Sequence, residues 1–144
     1  MSPIAAPFSL PIRVYWEDTD AGGIVFYANY LKFFERARTE WLRHLGIGQQ
    51  ALRDRTGGMF VVSETAVKYH RPARLDDVLH VSARLDETGR ASLVLFQEAH
   101  SVPIGNLEGP TVIHCEGRIR IGWVDAATLR PGRIPHEILN ALTS

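Results

Sequence analysis

A single cysteine, Cys115, stands in 144 residues. No disulfide can close within the chain, and no multi-cysteine metal site can be built from it. Charge of one sign is also missing. Sixteen Lys and Arg balance 16 Asp and Glu, and no basic block supplies the footprint that nucleic acid or an anionic membrane requires. No run approaches the ~20 apolar residues of a membrane helix. The first twelve residues, MSPIAAPFSLPI, have no basic start and are interrupted by Pro3, Pro7 and Pro11, which argues against a secretory leader. Neither HExxH nor another metal-ligand spacing occurs. These absences set the expectation of a cytoplasmic protein without metal, cofactor, nucleic-acid partner or membrane span.

What is present is apolar patterning. With 45% hydrophobic residues, the chain suffices for one domain over 1–144, burying roughly 68–70% of its unfolded surface. Residues 1–10 read as a loose arm. Ile12, Val14 and Trp16 then alternate with Arg13, Tyr15 and Glu17, a strand signature. From about Asn29 to Leu45 the period becomes helical: Tyr30, Phe34, Ala37, Trp41 and Leu45 form a stripe that Leu31 and Leu42 widen. Gly46 stands where such a helix stops, after Arg43 and His44 in its last turn.

The rest is mostly strand. Thr65, Val67 and Tyr69 alternate with Glu64, Lys68 and His70, and Leu79, Val81, Ala83 and Leu85 with His80, Ser82 and Arg84. Leu93, Leu95 and Gln97 alternate with Val94, Phe96 and Glu98, and Cys115, Ile119, Ile121 and Trp123 with His114, Glu116, Arg118 and Arg120. The links are too short for crossover helices, so the sheet should be largely antiparallel. A short helix over 135–142 closes the chain. One strand, one long helix and four strands predict an α+β domain, its helix packed on a curved sheet whose free edges invite a second copy.

The most informative stretch is Tyr15 to Trp41, YWEDTDAGGIVFYANYLKFFERARTEW. An acidic turn (Glu17, Asp18, Asp20) and the pair Gly22 and Gly23 precede the long helix. A carboxylate placed beside N–H groups exposed at a helix start is a compact acyl-transfer site: one group attacks or activates water, the others hold an oxyanion. The positive end of the helix favours the ionised acid. Gly22 and Gly23 relieve a tight turn and let a substrate approach the backbone. A calcium loop starting at Asp18 fails, because its fifth position is Gly22 and its twelfth Asn29.

EDTDAGGIVFYANYLKFFERARTEWL followed by YHRPARLDD closely resembles the hot-dog-fold acyl-CoA thioesterases. The similarity is to the Tol–Pal-associated branch first and to 4-hydroxybenzoyl-CoA thioesterase more distantly, over Ile12 to Asp125. The resemblance implies a five-stranded antiparallel sheet around a long central helix. It implies that Asp20, the second aspartate of D-x-D, is the catalytic carboxylate, with the oxyanion bound by backbone N–H at Tyr27 and its neighbours. It places substrate against Gly23, Phe26 and Tyr27, and coenzyme A phosphates near Arg90 and Ser92 after the Gly89 turn. It also implies active sites at a dimer interface, in a homodimer or homotetramer, and brings Glu35 close to the site. Many members of the branch have histidine where this chain has Tyr27; the hydroxybenzoyl relatives share the tyrosine.

Asp18 is assigned to the turn. Tyr30, Phe33, Phe34 and Trp41 read as core or dimer packing, Cys115 as a small buried apolar residue, and the six histidines as surface residues. A Ser–His–Asp triad through Ser63 or Ser92 lacks any feature bringing its members together. The expected function is acyl-CoA hydrolysis to free acid and coenzyme A. The alternative is a low-turnover partner that binds acyl-CoA or an acyl carrier protein in an envelope or lipid-synthesis complex, against which the intact Asp20 motif weighs. A dehydratase on this fold would need a catalytic histidine in a constellation not found.

Overall fold

The computed structural model describes residues 8–102 and 110–143. Its strands are β1 (Phe8–Arg13), β2 (Gly58–Tyr69), β3 (Val78–Thr88), β4 (Ser92–Ser101) and β5 (Val112–Asp125), and its helices α1 (Tyr30–His44), α2 (Gln49–Thr56) and α3 (His136–Thr143). The strands form one antiparallel sheet in the order β1-β3-β4-β5-β2. Short turns join β3 to β4, and β1 and β2 are the edges.

The helix α1 forms where the stripe predicted it. Tyr30, Phe33, Phe34, Ala37, Trp41 and Leu42 are its buried residues, at the spacing that keeps one face on the sheet. Phe33 and Phe34 are wholly inaccessible, each stabilising by roughly 1.5–3 kcal/mol through burial. The helix ends in a Schellman turn: Ile47 N–H donates to Leu42 O at 2.8 Å and Gly46 N–H to Arg43 O at 2.9 Å. Under the helix, β3 contributes Leu79, Val81 and Ala83, β4 Leu93, Leu95 and Ala99, and β5 Cys115, Ile119 and Ile121, all buried. One polar group lies among them. Gln97 is fully buried; its Nε2 donates to Phe34 O (2.9 Å) and Ser82 O (3.2 Å), and its Oε1 accepts Arg38 Nη1 (3.0 Å).

Several expectations need correction. The loose arm is shorter than the sequence predicts: residues 1–7 lie outside the described residues, but Phe8 to Leu10 belong to β1 and pair with Ala83 to Val81. Phe8 and Leu10 pack against the core, reason enough to extend the strand toward the terminus. The alternation read through Trp16 stops at Val14. Trp16 enters a 3-10 turn, Trp16–Asp18, and is 81% exposed. Asp18 Oδ2 accepts Tyr15 N–H at 2.9 Å, so a local side-chain bond replaces a ladder partner and bends the chain. Helix α2 has no counterpart in the sequence pattern. It is polar, with only Leu52 buried, and is closed by Gly57 at φ +74°.

Candidate active site

Local hydrogen bonding dictates the acidic turn. Thr19 bridges Val25, Asp20 N–H donates to Ile24 O (2.9 Å) and Gly23 N–H to Asp20 O (3.0 Å). Gly23 sits at φ +79°, where a side chain would be strained. Asp18 ties this hairpin to the next element. It is 5% exposed, and its carbonyl accepts Phe26 N–H and Asn29 Nδ2, both at 2.9 Å. The second acid behaves differently. Asp20 is exposed; its Oδ1 accepts Gly22 N–H at 2.8 Å, and its other carboxylate oxygen has no protein partner among the described residues.

The hairpin leads into a 3-10 turn, Tyr27–Asn29, that runs directly into α1. Asn29 N–H to Phe26 O (2.8 Å) is its first bond, so Tyr27 N–H and Ala28 N–H precede the hydrogen-bonded ladder. Beside this turn lies a cavity of about 250 Å³ lined by Ile24, Val25, Tyr27, Tyr30, Tyr69, His70, Arg71, Pro72 and His114. Asp20 does not line it; its N–H donates to the carbonyl of Ile24, which does. Phe26 stacks at a tilt on Tyr27, centroids 4.9 Å apart, and is 43% exposed. The Tyr69 hydroxyl donates to Tyr27 O at 3.0 Å, and its ring meets Tyr27 edge-on at 6.2 Å.

Tyr30 and Tyr69 in the wall hold their phenolic protons. Burial raises the Tyr30 phenol to about 12, against a hydrogen bond with the Ala73 backbone that lowers it. Burial also pushes Tyr69 up, modestly in effect because that residue is half exposed. The Cys115 thiol is raised to about 12 by burial first and the Glu116 charge second, so a thiolate nucleophile is not available there. Among the described residues no cluster of three or more His, Cys, Asp or Glu is placed to hold a metal.

Of the sequence-predicted site residues, Asp20, Gly23, Phe26 and Tyr27 share one hairpin and turn. Arg90 and Ser92 do not join them in one chain. Ser92 pairs with Gly122 while Tyr69 pairs with Cys115, a separation of about 23 Å along β5 at ~3.3 Å per residue. There Arg120 Nη1 donates to Ser92 Oγ (3.3 Å) and Ile134 N–H to Arg90 O (2.8 Å).

Sequence reasoning missed Tyr69, the 70–72 segment and, most clearly, His114. Read as a surface residue, His114 is 5% exposed. The register shows why. Ala99 faces Cys115 but His100 faces Ile113, so a bulge leaves His114 without an opposite residue and takes it off the outer face.

A curved antiparallel sheet with a central helix, and an acidic hairpin feeding a helix start beside an aromatic cavity, define a hot-dog-fold thioesterase. The thioesterase-like superfamily profile matches residues 14–142; the chain belongs to this family. It is 40% identical to the acyl-CoA thioesterase YbgC of Haemophilus influenzae over 131 residues, 91% of this chain and 90% of that protein. It is 42% identical to the acyl-CoA thioester hydrolase YbgC of Escherichia coli over 132 residues, 92% of each. A crystal structure of an Aquifex aeolicus hypothetical protein superposes with TM-score 0.83 at 29% identity, covering 95% of this chain and all of that one. A 4-hydroxybenzoyl-CoA thioesterase variant bound to 4-hydroxybenzoyl-CoA shares the fold with TM-score 0.87 at 19% identity, covering 96% and 100%.

Proposed function

We propose that the protein hydrolyses acyl-CoA thioesters: thioester plus water gives a carboxylic acid and the free thiol of coenzyme A. Asp20 either takes a proton from the attacking water or attacks the carbonyl itself, forming a mixed anhydride that water opens. Tyr27 N–H, with Ala28 N–H beside it, holds the carbonyl oxygen as it gains charge. Gly23 leaves room for the thioester, while Phe26 and Tyr27 shape the entry to the acyl cavity. The observation that carries this reading is the continuity of the Asp20 hairpin with the Tyr27 turn along one wall of that cavity. YbgC proteins at about two-fifths identity, named acyl-CoA thioesterases, support the substrate class.

The working unit in this proposal is a cytoplasmic homodimer, or two such dimers paired. Strand β2 presents an open edge over twelve residues, and an open edge is a template for a second strand. Arg90 and Ser92 then serve coenzyme A phosphates only if they come from a second copy, Arg90 through its forked donors. The test is Asp20→Asn, with hydrolysis and binding measured separately. Loss of one oxyanion donor typically costs ~10²–10³ in rate, and loss of the Asp20 charge should cost at least as much while binding persists. Undiminished hydrolysis by Asp20→Asn removes Asp20 from the mechanism.

A further inference from the structure

His114 is the one buried histidine among the described residues, and the hydrolytic scheme above gives it no task. Its Nδ1 lies 3.0 Å from Arg71 O and its Nε2 2.7 Å from Ser101 Oγ. A carbonyl oxygen only accepts, so Nδ1 carries the hydrogen and donates it to Arg71. The backbone of the same residue reinforces the contact, since His114 O accepts His70 N–H at 2.9 Å and Arg71 N–H at 3.4 Å. Any residue could provide those main-chain bonds. The bond to Arg71 O needs a side-chain donor at the δ position.

That carbonyl holds more than itself. It precedes Pro72, which has no N–H with which to fix its own place. The next residue, Ala73, accepts Val25 N–H at 2.9 Å, and Arg74 bridges Ile24. The imidazole therefore anchors one end of a short wall whose other end is stitched to the hairpin of the proposed catalytic acid. Both walls face the same cavity.

We propose that His114 is a positioning residue that sets acyl selectivity: by donating Nδ1–H to Arg71 O it fixes the His70–Pro72 wall, and so which acyl groups the cavity holds. The inference rests on the thioesterase reading for the identity of the ligand but not for its geometry. A cavity of about 250 Å³ exceeds the ~150 Å³ that suffices for benzene in an engineered protein core. The cavity therefore has room for acyl groups of ring size or medium chain length, and on this proposal these touch the wall while an acetyl group does not.

The experiment uses the full chain carrying His114→Phe, which keeps a ring without the donor, or His114→Asn, which keeps an N–H at the δ position. For each, kcat and KM are measured with acetyl-, hexanoyl- and benzoyl-CoA, and binding of the same thioesters and of their free acids is followed by calorimetry. For His114→Phe the expected result is a rise of about tenfold in KM for hexanoyl- and benzoyl-CoA, the range set by an imperfect pocket contact. Acetyl-CoA should change by less than about twofold with kcat preserved, and His114→Asn should restore most of the loss. A parallel decline across all three substrates, an unchanged profile, or His114→Asn behaving like His114→Phe would overturn the proposal. Should the wild-type protein hydrolyse none of the panel, the enzymatic reading fails, and relative binding of the three thioesters still decides the role of the wall. Absence of both hydrolysis and binding in the wild type sinks both.

Discussion

Replacing Gln97 with leucine tests the reasoning about the core in its most demanding place. The side chain is wholly inaccessible and ties β4 to two other elements: the Arg38 guanidinium and the Phe34 carbonyl on α1, and the Ser82 carbonyl on β3. Leucine matches the volume closely, so cavity formation is a small part of the cost. The bond to Arg38 involves a charged donor, a class contributing about 1.5–3 kcal/mol, while the two neutral amide bonds contribute about 0.5–1.5 kcal/mol each. Phe34 O lies in a helical ladder, so its loss falls at the low end; the β3–β4 register skips Ser82, and Gln97 Nε2 supplies the bond to its carbonyl, so that loss falls higher. Greater apolar character of leucine offsets some of the remainder. A net destabilisation of about 2–4 kcal/mol follows.

For a chain of this length that corresponds to a fall in Tm of roughly 5–15 °C. Urea titration and thermal melts followed by circular dichroism are the assays. The pair Arg38→Leu and Gln97→Leu completes a double-mutant cycle, because removing the guanidinium removes the group left without its acceptor. A coupling of about 0.5–3 kcal/mol, with the double variant more stable than the sum of the singles, is expected. A Gln97→Leu protein as stable as the wild type, or a strictly additive cycle, would refute the account of this amide as a bridge.

Two further outcomes follow from the packing. A Cβ built on Gly58 would lie 2.3 Å from Trp123 Cζ2, and that indole is buried and set edge-on to Phe60. Gly58→Ala should therefore cost about 1–3 kcal/mol in a urea titration, and a neutral result would mean that Trp123 moves freely. Cys115, with its thiol raised to about 12, should resist alkylation in the folded protein at pH 8 and react fully once unfolded. Rapid labelling of the native protein would contradict its burial.

The elements legible in the sequence were those whose apolar residues meet one uninterrupted partner surface. The stripe from Tyr30 to Leu45 gave α1 because the whole helix rests on one sheet, and β3, β4 and β5 alternate because each has one face under it. The illegible parts are those where a local bond or a neighbour overrides the pattern. Asp18 turns the chain at Trp16 through the Tyr15 N–H. Helix α2 carries one buried leucine, too few for a periodic signal, although Gly48 and Gly57 bracket it. In the candidate site, the Asp20-to-Tyr27 segment was visible because its chemistry is contiguous. His114 and Tyr69 were not: alternation assigns His114 to solvent where a bulge turns it inward, and it puts Tyr69 on the apolar face of β2 without showing that the strand end brings it to the cavity.

The position of β2 bears on how the chain comes to be folded. It is synthesised early, yet its sole partner in the sheet, β5, follows about fifty residues later, with pairings from Tyr69–Cys115 to Gly58–Asp125. During translation β2 must wait unpaired while the β3–β4 hairpin zips locally, and closure of the last ladder falls to the final third of the chain. Refolding in milliseconds to seconds, with the β2–β5 seam last to gain amide protection, is the kinetic signature of that order.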